Sequence, residues 1–208
     1  MHKKLIMACM AVAAFAAFVM APAASAAESP TLTSGGVSVP VGTSITAVNT
    51  GITKFTGFGV ECDHVHLHGT VTKNSNHEIE GTIPVGGASF NGTSTNTDCT
   101  SPLGPIKVTV NSELCLKTNS TTADTMLVTG CGANVTFTLE ITGTGPCKYQ
   151  TASVSGTYTT NATPATVNIT EQPASGAGEP NPFFCPASGK LDMDFDMYTT
   201  NGTGVTVS

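Results

Sequence analysis

The chain has 208 residues, 14 of them acidic and 8 of them lysine, with no arginine and a net charge of −6. Charged residues make up 11% of it, where an ordinary soluble domain carries roughly a quarter. Such a chain lacks the basic footprint that nucleic acid or an anionic lipid surface requires, so neither is expected as a partner.

In chain order the first element is a delivery segment. His2, Lys3 and Lys4 precede an apolar run from Leu5 to Met20, and Ala21-Pro22-Ala23-Ala24-Ser25-Ala26 places small residues where a signal peptidase needs them. Residues 1–26 are therefore expected to be a signal peptide cleaved after Ala26, directing the protein to the secreted, extracellular compartment. The remaining chain, 27–208, keeps 182 residues and a net charge of −8. It has no second apolar run long enough to span a bilayer.

Beyond Ala26 the dominant signal is strict alternation of apolar and polar residues. It runs through Val65, Leu67 and Val71, then Ile79, Ile83 and Val85, then Ile106, Val108 and Val110. It resumes through Val135, Phe137, Leu139 and Ile141, and again through Leu191, Met193, Phe195 and Met197. Period two in a chain with 35 threonines predicts half-buried antiparallel strands, with threonine supplying strand propensity to the wet face. Shorter strands are expected near 36–41, 43–49, 52–60, 86–92, 113–118, 124–129, 150–160, 164–170 and 203–207. Gly, Asn and Pro clusters separate them, and Gln172–Asn181 reads as a long irregular loop. About a dozen short strands predict a single-domain, all-β antiparallel β-sandwich over 27–208, with a closed or partly open β-barrel as the alternative.

Removal of Cys9 with the leader leaves six cysteines: Cys62, Cys99, Cys115, Cys131, Cys147 and Cys185. An even count in an exported chain, with no Cys-x-x-Cys pair, points to disulfides rather than zinc or thiol chemistry. Six cysteines permit 15 pairings, and spacing does not choose among them. The working expectation joins neighbours: Cys62–Cys99, Cys115–Cys131 and Cys147–Cys185.

Two stretches carry a resemblance. One is Cys62, Leu67-x-Gly69-x-Val71, Ala88-Ser89-Phe90-x-Gly92 and Cys99. The other is Cys147, Val154-Ser155-Gly156-Thr157-Tyr158 and Cys185-Pro186-x-Ser188-Gly189-x-Leu191-Asp192-Met193-x-Phe195. Together they resemble a group of uncharacterised secreted Thr/Gly-rich β-proteins of actinobacteria. More loosely, the first is similar to the secreted alkane oxidation activator proteins. The resemblance implies a non-catalytic role at a cell surface, matrix or hydrophobic substrate, and carries no functional residues with it.

The histidines offer the sharpest chemical motif. His64, His66 and His68 alternate with Val65 and Leu67, so on a strand they project from one face about 6–7 Å apart. A hairpin with a three-residue loop at 74–76 would pair residue 70 with residue 80 and set Glu80 diagonal to His68. The row could then hold Zn or Cu; equally, it is a polar strand face that happens to use histidine. Phe58, Val60 and Cys62 share parity with the histidines yet look inward, so a bulge near Asp63 is expected to switch the faces. Asp192, Asp194 and Asp196 form a second row whose apolar spacers do not suit a calcium loop, and edge blunting is the simpler purpose. Glu78 and Glu80 share a face, but no tryptophan accompanies them to stack a sugar. No Gly-x-Ser-x-Gly elbow or zincin helix is present. The leading expectation is a secreted, non-catalytic surface, matrix or ligand-binding protein. A metal-binding exported protein and an undetected hydrolase are the alternatives, and an apolar pocket or groove would favour the first.

Overall fold

The computed structural model describes residues 30–75, 77–92, 98–118, 122–177 and 181–208. The expected leader, 1–26, lies outside the described residues. Among those described there are seventeen strands and no helix. The first six are β1 (Leu32–Ser34), β2 (Val37–Ser38), β3 (Ser44–Asn49), β4 (Thr53–Phe55), β5 (Val60–Cys62) and β6 (His64–Ser75). Then come β7 (Glu78–Ile83), β8 (Ala88–Asn91), β9 (Ile106–Val110), β10 (Leu114–Thr118) and β11 (Thr125–Gly130). The last six are β12 (Val135–Ile141), β13 (Gly145–Thr151), β14 (Val154–Tyr158), β15 (Thr166–Gly176), β16 (Ser188–Thr199) and β17 (Val205–Val207).

Of the two expected architectures, the closed barrel is the one formed. Eight antiparallel strands run β16-β3-β6-β7-β10-β11-β14-β15, and β15 pairs back onto β16 to complete the ring. Closure removes the free edges that an open sheet of this size would leave to solvent. The long β15/β16 ribbon continues past this ring. Its far half, around Leu191 and Ser175, is flanked by β4 and β5 on one side and by β13, β12 and β9 on the other. Two short bridges, Glu61↔Thr100 and Cys99↔Ile106, link β5 to β9 and close a second circuit of main-chain pairing. A three-stranded sheet, β17-β1-β2, lies across the opposite mouth of the first ring. It is tied there by Ala165 N–H donating to the Val205 carbonyl and Asn161 N–H to that of Val207, both 2.7 Å.

Inward positions follow the alternation. Strands β12 and β14 read buried-out-buried along their whole length, and the buried side chains form one continuous cluster through both rings. Within the second ring, Phe55, Phe137 and Tyr149 make a mutual aromatic packing with centroids 4.9–5.5 Å apart. The tight coiling of the first ring is marked by inward glycines. A Cβ on Gly69 would lie 2.8 Å from the Thr82 carbonyl oxygen, and one on Gly156 would lie 2.9 Å from that of Asn168. Only glycine lets neighbouring backbones approach so closely at a bend in the wall.

The disulfides join Cys62 to Cys99, Cys115 to Cys131 and Cys147 to Cys185, each cysteine with its neighbour in sequence. Cys62, Cys99 and Cys147 are sealed in the core, whereas Cys131 is exposed on the β10–β11 hairpin. Three such bridges belong to an oxidising compartment. No helix of the described residues is long and apolar enough to cross a membrane.

Three local expectations are corrected. Gln172–Gly176 is not loop but the second half of β15, reached through a bulge at Thr170 and Glu171 where Glu171 takes a φ of 49°. The strand carrying Asp192, Asp194 and Asp196 is not an edge: β16 has a partner on each side, so blunting an edge is not their role. The β6–β7 hairpin turns at residues 76 and 77, pairing Ser75 with Glu78, with His77 at a φ of 66°. A further shift between Val71 and Lys73 sets Glu80 opposite Lys73 rather than beside residue 70. An Asn-His pair accommodates this tight turn because these residues tolerate positive φ better than most.

Candidate functional site

The most distinctive internal feature is an apolar cavity of about 220 Å³ running through the barrel. Protein interiors rarely hold voids much larger than a water molecule, and a cavity of roughly 150 Å³ suffices to bind benzene. Its lining reaches from Leu32 and Val207 in the capping sheet, past Met126 and Met193, to Phe137 and Leu139 in the second ring. On β16 alone it extends from Met197 to Leu191, which at strand rise spans roughly 20 Å. Spread over that length, the space is a narrow bore rather than a chamber.

The cavity follows from the residues placed inward. Gly69 stands opposite Ile45, Gly81 opposite Val71 and Leu116, and Gly156 opposite Met126. Each pair puts one large side chain and one missing side chain at the same level of the wall. Ala47, also inward, fills little more. An eight-stranded ring is just wide enough for side chains to fill, so removing several at once leaves room for a small guest.

Charge is kept off this surface. Lys54 and Glu80 sit on lining strands, but alternation turns their charged ends outward: Lys54 reaches Glu61 at 3.2 Å, and Glu80 lies 4.0 Å from Lys73. Lys73 also hydrogen-bonds Glu78, which holds that carboxyl below its ordinary value and raises the lysine. The Glu78/Glu80 pair is thus part of a surface ion network, not a carboxylate pair facing a cleft. One polar group does face inward. Thr53, 4% exposed and on the same face as Phe55, lines the cavity, and its hydroxyl has no hydrogen-bond partner among the described residues.

The histidine row sits on the outer face of β6. Cys62 and Val65 are buried while Asp63 and His64 are both exposed, so the faces switch at Asp63 as the parity required. Asn49 pins the switch: its amide donates to the Asp63 carbonyl at 2.9 Å, and its oxygen accepts from Val65 N–H at 2.8 Å. The His66 and His68 rings lie nearly parallel, 6.3 Å apart, and His68 Nδ1 shares a hydrogen bond with Thr46 Oγ1 at 3.1 Å. Their cross-strand neighbours are Ser89, Val48 and Thr46, with Asn91 beside His64. Glu80 is drawn away to Lys73 by the hairpin register, so it does not complete a site with His64, His66 and His68. No group of three or more potential ligands for one ion occurs among the described residues. The aspartate row is engaged across the ribbon: Thr166 bonds Asp196 at 2.8 Å, Asn168 bonds Asp194, and Glu171 N–H bonds Asp192 at 2.6 Å.

Set against family models, curated proteins and solved structures, the chain matches none, so the resemblance to secreted actinobacterial β-proteins rests on its motifs alone. Sequence reasoning passed over the cavity and Thr53. The signal was present in the inward parity of Gly69 and Gly81, which the alternation contained. Nothing in the sequence placed Gly156 and Ala47 at the same bore.

Proposed function

We propose that this is a secreted, non-catalytic β-barrel protein that takes an apolar ligand into its interior. The observation that carries the reading is the bore itself, lined almost wholly by aliphatic and aromatic side chains and left open by inward glycines. Ligand pockets are concave and mostly apolar with few polar groups, and this interior fits that description. The histidines and aspartates that could do chemistry project from the outer wall, away from the bore. The disulfides suit export to an oxidising compartment.

The test is a fluorescence titration with N-phenyl-1-naphthylamine, which brightens in apolar surroundings. The protein should bind it saturably at about one site per chain. Ala47→Phe, which fills the bore at a cost of roughly 1–3 kcal/mol from overpacking, should abolish binding while the β-sheet circular dichroism persists. Undiminished binding by this folded variant would refute the interior site.

A further inference from the structure

The bore's one unpartnered polar group identifies the chemistry of the guest. Among the described residues Thr53 is the single polar side chain in the core, and its hydroxyl is shut off from solvent without a hydrogen-bond partner. An unsatisfied buried hydroxyl costs about 1–3 kcal/mol, so its persistence on a cavity wall calls for an explanation in terms of what enters. Thr53 sits one residue before the Lys54–Asp192 pair, at the junction where the first ring gives way to the second, about midway along the bore. The neighbouring cation, Lys54, is turned outward and occupied by Glu61. A guest's carboxylate would therefore be buried with no countercharge, a far larger penalty than any neutral group meets.

We infer that the ligand is a single unbranched hydrocarbon chain bearing one neutral oxygen function, such as a primary alcohol, whose oxygen bonds the Thr53 hydroxyl inside the bore. This rests on the interior-binding reading above. The hydroxyl can both donate and accept, so it meets an alcohol without needing a charge. The length and thinness of the cavity fit one extended chain better than a fused ring system.

Displacement of bound N-phenyl-1-naphthylamine by 1-octanol, octane and octanoate tests it. At pH 8, 1-octanol should compete at least tenfold better than octanoate. Octanoate should gain as the pH falls toward the carboxyl range, roughly 4–5, because only the neutral acid can enter. Thr53→Val keeps the shape and removes the hydroxyl; it should weaken 1-octanol about three- to tenfold, the effect of one hydrogen bond, and leave octane unchanged. Thr53→Ser should restore the preference. Octanoate binding as well as 1-octanol at pH 8, or an unchanged octanol-to-octane ratio in Thr53→Val, overturns the assignment while the interior site stands. Failure of every compound to displace a probe that does bind places that probe outside the bore and overturns both. The pH comparison uses the unaltered protein, so it decides the question of charge even if Thr53→Val fails to fold.

Discussion

Tyr149 combines three of the forces that hold this protein together. Its ring packs against Phe55 and Phe137, its hydroxyl donates to the Pro186 carbonyl at 2.7 Å, and burial pushes its pKa up to about 12. The folded protein therefore keeps a proton that the unfolded chain releases from its ordinary value of 10 upward. Stability should be independent of this group below pH 10 and fall as pH rises from 10 towards 12. Urea unfolding at pH 8 and pH 11 checks this: Tyr149→Phe should lose about 1 kcal/mol at pH 8 through the orphaned carbonyl, and show a smaller further loss at pH 11 than the parent. At the same scale, Asn49→Ala removes both bonds that pin the face switch at Asp63 and should cost about 1–3 kcal/mol in the same assay. That a switch was needed at Asp63 was legible from the parity of Cys62 and Val65. That Asn49 would supply it was not, because the partner lies on another strand and the pattern within one strand says nothing of its neighbour. Thr53 escaped notice for the same reason: alternation shows that a side chain faces in, but not what stands across from it.

At the level of elements, the strands were the readable part and their joints were not. The period-two runs at 135–141 and 191–197 fall inside β12 and β16 because each strand has one wet and one dry face. The turn of β6–β7 depended on a positive φ at His77 and a bulge near Thr72, backbone features with no periodicity, and with it went the expected place of Glu80. Gln172–Gly176 looked like loop for its Pro, Gly and Ser, yet it is held as strand by the opposite half of β16. The disulfides act at this scale too. By chain entropy the bridges spanning 37 and 38 residues are each worth roughly 4 kcal/mol and the one spanning 16 about 3. Exposure sets the order of loss: under mild reductant Cys115–Cys131 should open first, and Cys62–Cys99 only with unfolding. Timed alkylation with mass spectrometry reads that order directly; early labelling of Cys62 and Cys99 would contradict it. Gly156→Val offers a parallel test of the wall, since its Cβ would meet the Asn168 carbonyl at 2.9 Å. Thermal melting should show a loss of about 1–3 kcal/mol.

For the whole molecule, a sandwich and a barrel share the same strand grammar, so alternation alone could not separate them. What decides is closure: β15 must leave β14 and return to β16, a long-range pairing invisible to local pattern. Closure also creates the interior, and the interior is where the function is placed. The capping sheet and the second ring shield the bore at its two ends, so a guest held there would be screened from water along its length. The most direct measurement is methyl NMR of the isotopically labelled, disulfide-intact protein titrated with 1-octanol. Leu67, Leu116, Val128 and Ile169, whose side chains line the bore, should shift together and saturate at about one equivalent, while the exposed Val37 and Val85 stay still. Shifts confined to the exposed methyls, or none in the bore at saturating alcohol, would contradict the account.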